Sequence, residues 1–269
     1  MRTATLLFVL FLLSPVLAEE AKKPADPVKS LPKALQPGAT ATWDGRGPTH
    51  TVDGTVTLRV AAGHTAGTVL LSLEYDTGDR GVLTMRDRLT AVLDARSKKI
   101  LTFKFSVGGK KDEPYLKASR LFMETDPKKK PGPVHERYTW KKKGEPPRVK
   151  RTRPKLPDVW FPERLEPFLV PLLGATEKTS KSVTLVNELT GTVMKKPAVW
   201  RGLGEGAMKV GKADVPCRIF SRKRGDASNL LYLRASDSVV VKSSVPPIRL
   251  RPAGKETEDG GNGKKDKTK

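Results

Sequence analysis

In ILTFKFSV, residues 100 to 107, the side chains of Leu101, Phe103, Phe105 and Val107 alternate with Thr102, Lys104 and Ser106. Apolar groups at every second position share one face only if the chain is extended, so this spacing predicts a half-buried strand and excludes an amphipathic helix. The pattern recurs. Val56, Leu58 and Val60 alternate with Thr55, Thr57 and Arg59; Val69, Leu71, Leu73 and Tyr75 line another run; Leu83, Met85, Leu89, Ala91 and Leu93 line the next. Further strands are expected at 138–140, 183–189, 213–221, 230–235 and 238–243. The links AAGHTAG, DTGDRG, DARSKK and VGGKKDEP are short and rich in Gly, Asp or Lys. Such links favour an antiparallel meander with one face covered and one wet. The expected fold class is mainly β.

One stretch departs from the alternation. In PDVWFPERLEPFLVPLLGAT, residues Phe161, Leu165, Phe168, Leu169 and Leu172 follow helical spacing, and Pro162 suits a first helical position. Pro167 and Pro171 fall inside the pattern and should break it into short pieces. Its apolar density suits an element laid across the open sheet face, as a core-packing connector or as a movable lid.

The chain opens MRTATLLFVLFLLSPVLAEE, with a basic residue, an apolar run and small residues ahead of a cleavage point after Ala18. This is the pattern of a secretory signal peptide, too short to span a bilayer. An exported location, periplasmic or extracellular, is therefore expected. Residues 19 to 40 read as a flexible Pro-, Ala- and Lys-rich linker, 41 to 253 as one β-rich domain, and 254 to 269 as a disordered charged tail. Cys217 is the only cysteine, so no internal disulfide can form; in DVPCRIF it reads as a small buried group.

The formal charge of +22 predicts attraction to polyanions. Residues 128 to 155 hold twelve Lys or Arg and two acids. Lys141, Lys142, Lys143, Arg148, Lys150 and Arg151 are the candidate contacts to an anionic surface. Tyr138 and Trp140 could stack on bases, but their shared parity reads as a core face, and this argues against nucleic acid. Prolines 127, 131, 133, 146, 147, 154 and 157 mark extended connections, where Lys and Pro also discourage edge-to-edge aggregation. Lys-rich loops that merely solvate the sheet explain the same residues.

No catalytic constellation emerges. His50, His64 and His135 stand apart from one another, and a turn accounts for Asp44, His50 and Asp53 without a metal. GLGEG lacks a following helix and reads as a turn or bulge. Asp87 shares the alternating face of Leu89 and Leu93, so it either lines a polar pocket or is turned outward by a bulge. Neither an enzyme, nor a cofactor, nor a metal site is expected.

Three stretches carry a resemblance: LTAVLDARSKKILTFKFSV, PDVWFPERLEPFLVPLL and GKADVPCRIFSRKRGDASNLLYLRASDSVVVKSSV. Their layout resembles an uncharacterised family of exported bacterial β-sheet proteins and, more distantly, the outer-membrane lipoprotein carrier fold. The resemblance implies a curved antiparallel sheet or half-barrel whose concave face is covered by short helical elements. In the carriers that face holds acyl chains. It makes Leu71, Leu73, Phe103, Phe105, Trp160 and Phe161 the candidate lining for a lipidic or apolar ligand. Two functions stay open: a non-enzymatic exported binding module using that face, and an envelope structural or interaction protein contacting anionic polymer or lipid head groups through its basic loops.

Overall fold

The alternating runs pair side by side. A computed structural model describes residues 26–46, 53–77, 86–108, 117–126, 128–141 and 145–253. The strands are β1 (Thr40–Arg46), β2 (Asp53–Ala62), β3 (Thr68–Asp76), β4 (Arg86–Asp94), β5 (Lys99–Val107), β6 (Lys117–Glu124), β7 (Gly132–Thr139) and β8 (Arg148–Thr152), then β9 (Trp160–Pro162), β10 (Lys181–Val186), β11 (Ala198–Val210), β12 (Ala213–Arg224), β13 (Ala227–Arg234), β14 (Val240–Ser243) and β15 (Arg249–Pro252). They form one mixed sheet, from β8 down to β1, then β15 down to β9. Neighbours in sequence are neighbours in space except β8 and β9, which lie at opposite ends of the sheet, and the one pairing between strands distant in sequence is β1 with β15, Trp43 opposite Pro252 and Gly45 opposite Leu250. That pairing joins two meanders. Among the described residues only β9 and β10 run parallel, as their connection through the inserted segment allows.

The sheet is not closed by strand pairing, yet its two ends approach each other. The ring of Phe103 on β5 meets the edge of Trp160 on β9, with centroids 6.2 Å apart. Beyond β10, the carbonyl of Glu188 accepts a hydrogen bond from Ser119 on β6 at 2.6 Å and lies 3.0 Å from Nε2 of His135 on β7. Side chains thus join what the backbone leaves open. The turn that presents Glu188 depends on Gly191, at φ +68, where an added Cβ would sit 2.4 Å from His135 Cγ.

Inside the curve lies the insertion. It is 3-10 over Glu163–Leu165, α over Glu166–Leu169 and 3-10 again over Val170–Leu173, ending at left-handed Gly174. Pro167 and Pro171 each fall in the first turn of a new piece, where a missing N–H sacrifices no internal bond. Pro162 closes β9 instead of opening a helix. Leu165, Phe168, Leu169 and Leu172 are buried against the sheet, and Phe168 packs on Trp43 at 5.2 Å. The mainly β fold with a Pro-interrupted segment over one face is therefore observed.

Some local readings differ. Within 19–40, Pro27–Ser30 and Lys33–Leu35 are 3-10 turns, and Leu31 and Leu35, one helical turn apart, reach the core. The stretch around Trp43, read as a turn, is strand β1; Trp43 Nε1 donates to the Val240 carbonyl at 2.6 Å. In β5 a bulge sets Leu93 opposite Ile100 but Val92 opposite Thr102. Leu101 is the extra residue and is exposed, while Ile100 takes its place in the core. A bulge at Gly202 and Gly204 in β11 matches the reading of GLGEG. Leu83, Met85 and His50 lie outside the described residues, as do residues 1–25 and 254–269.

Candidate functional site

Two places could act on another molecule: the covered face and the basic edge. On the covered face, Leu71, Leu73, Phe103, Phe105, Trp160 and Phe161 are all buried, none more than 8% exposed. The insertion fills the space in front of them. A cavity of about 20 Å³ beside Leu35, Trp43, Leu58 and Phe168 is on the scale of one water and far below an acyl chain.

The insertion is also tied down by charge. Glu166 receives both Nε and Nη2 of Arg222 at 2.8 Å, and Trp200 Nε1 at 2.9 Å. Arg164 donates through Nη2 to Asp87 at 3.1 Å, and through its backbone N–H to Glu188 at 2.6 Å. Its guanidinium lies 4.5 Å over the Phe105 ring. Glu163 pairs with Arg224 at 3.2 Å. Burial pushes the Asp87, Glu166 and Glu188 carboxyls above their ordinary range, and the facing arginines offset this only in part. Asp87 therefore does face inward, with no bulge to turn it out; its counterion comes from the insertion. Burial lowers the pKa of His135, and the contact with the Glu188 carbonyl offsets this only in part.

The basic edge differs from expectation in one decisive respect. Leu121 and His135 oppose each other on the core side, whereas Arg120 opposes Glu136, and Ala118 opposes Tyr138. Tyr138 and Glu136 hence share the outer face, and the reading of Tyr138 and Trp140 as core-facing is corrected. In HERYTW the core position belongs to His135, because the Glu188 turn covers that end of the sheet. An acid on the same parity as the two aromatics was the available signal.

On this outer face the side chains interlock. Arg120 stacks over Phe122 at 4.7 Å and over Tyr138 at 6.0 Å, and Tyr138 stacks on Trp140 at 6.3 Å with 27° between planes. Buried Glu136 accepts from Arg120 Nε at 2.7 Å, from Arg151 Nε at 3.0 Å and from the Tyr138 hydroxyl. Burial alone would raise its pKa, but the bonds from Tyr138, Arg151 and Arg120 outweigh it and lower the value to about 2. Glu124 lies near Lys129, Arg151 and Arg153 at 3.8 to 3.9 Å. Arg120, Phe122 and Glu136 were not among the sequence candidates. Of those that were, Arg151 belongs to this cluster, Arg148 and Lys150 project from the opposite face of β8, and Lys141 is exposed beyond β7. Lys142 and Lys143 lie outside the described residues.

Among the described residues no three His, Cys, Asp or Glu side chains converge as metal ligands, and no helix is long and apolar enough to cross a membrane. Cys217 is buried and its thiol is pushed up by burial.

Fold and site together define an open mixed sheet whose covered face is filled by the insertion. Among solved structures the chain is similar to a β-barrel-like protein of a domain of unknown function, DUF1849, from Brucella abortus, at 12% identity and a TM-score of 0.42, over 79% of this chain and 94% of that one. No family model and no curated protein matches it. The resemblance to the lipoprotein carriers has no counterpart in these comparisons.

Proposed function

We propose that this chain is a non-enzymatic, exported interaction protein that holds anionic envelope polymer against its Lys- and Arg-rich edge. The observation that carries the reading is the occupied interior. Freeing the covered face would re-expose Phe161, Leu165, Phe168 and Leu169, at about 1.5–3 kcal/mol each, and would strip Arg222 from buried Glu166. An apolar ligand would have to recover all of it. The basic edge requires no rearrangement, and twelve of the chain's cations lie in residues 128–155. The export signal makes an envelope polymer the fitting partner.

The test is retention of the full chain on an anionic resin across a salt series, beside a variant with Lys141, Lys142, Lys143, Arg148 and Lys150 replaced by Ser. Retention that is lost with salt, and lost early in the variant, supports the reading. Equal elution of the two proteins would sink it. The lipid-carrier reading is tested by native mass spectrometry of the protein from its own envelope: a stoichiometric acyl-chain adduct would restore it.

A further inference from the structure

The outer face of β6–β8 has more organisation than a solvated basic surface requires. Phe122 and Arg120 on β6, Tyr138 on β7 and Trp140 just beyond it form one continuous stack. Beneath it, Glu136 is 3% exposed and fastens Arg120, Arg151 and Tyr138 at once, while the Arg120 and Arg151 side chains remain 46% and 45% exposed. Lysines that only keep an edge soluble need no such fixing. Guanidinium groups held at their inner side and open at their outer side are preorganised to meet a carboxylate, because the entropy of placing them has already been spent in folding.

Resting on the reading above, we propose that this stack is a binding site for an acidic polysaccharide. Trp140, at the end of the stack, takes the C–H face of a sugar ring while Tyr138, stacked between it and Arg120, holds the indole in place, and Arg120 and Arg151 take uronate carboxylates. The balance of charge selects this partner. Arg120, Arg151, Arg153 and Lys129 stand against the three carboxylates Glu136, Glu124 and Asp126. That modest excess suits a polymer with a charge on some of its rings. A nucleic-acid strand carries a phosphate at every nucleotide and is held by denser positive charge than this face offers.

The site has a built-in reporter. Of the four tryptophans, Trp43, Trp160 and Trp200 are buried and Trp140 is half-exposed. Acrylamide quenching of the full chain therefore reads Trp140. Polygalacturonate is expected to protect that emission, and Trp140→Ala and Tyr138→Ala to weaken polygalacturonate binding at least tenfold at unchanged retention on polyphosphate. Tyr138→Phe, which keeps the ring, holds the fold if the alanine variant does not, and should bind nearly as well as the native chain. Polygalacturonate binding that ignores Trp140→Ala overturns the site but leaves the polyanion reading standing. Tighter, Trp140-dependent binding of an oligothymidylate overturns the polysaccharide in favour of nucleic acid. No binding to any of the three polymers removes both readings.

Discussion

Arg222 and Glu166 show how a single pair can tie an insertion to a sheet. Both are almost fully buried, and their two parallel hydrogen bonds leave each the other's counterion. Arg222→Met should cost about 3–5 kcal/mol, because it leaves a carboxylate buried without its partner. Adding Glu166→Leu should recover part of that loss, since an apolar pair is often as stable as a buried ionic one. Chemical denaturation of the three variants checks this; a double variant weaker than Arg222→Met would show that the bond from Trp200 to Glu166 outweighs the charge pair. In the sequence these two residues look like surface charges, Glu166 within the apolar insertion and Arg222 in the basic run SRKR. Fifty-six positions separate them, and nothing local announces the pairing.

The three strands at the basic edge should carry a pH signature of their own. Glu136 has its pKa lowered to about 2 in the fold, against about 4.3 for an unfolded Glu. A depressed carboxylate contributes stability that is fully present above the unfolded value and is lost as pH falls toward the folded one. Stability should therefore drop between about pH 4.5 and 2, and Glu136→Gln should flatten that part of the profile. Thermal melts across the window measure it. An unchanged slope in the variant would place the acid sensitivity elsewhere. The sheet pattern of this edge was legible in HERYTW as an alternation, but the choice of which parity faces inward was not. Tyr and Trp outweigh His in hydrophobicity, and only the Glu188 carbonyl over His135 decides the matter.

Across the whole molecule, the two meanders share one core. They are joined by the β1 to β15 pairing, and the insertion bonds to β4 through Arg164 and to β12 through Glu166. Such sharing predicts one cooperative unit. In native-state hydrogen exchange, the most protected amides of β3 and β12 should open with the same free energy. Protection that ranks one meander clearly below the other would show that the halves unfold separately.

The sequence by itself determined that the chain is built of strands and where the insertion falls, because period-two and helical spacing are local properties that survive without any partner. It also located the excess of positive charge. The tertiary structure alone decided that the covered face is full, that Asp87 meets Arg164 from 77 residues away, and that Tyr138 looks outward. Each of these depends on what arrives from a distant part of the chain: a buried charge takes whatever counterion the fold delivers, and a strand's wet face is whichever one nothing else covers.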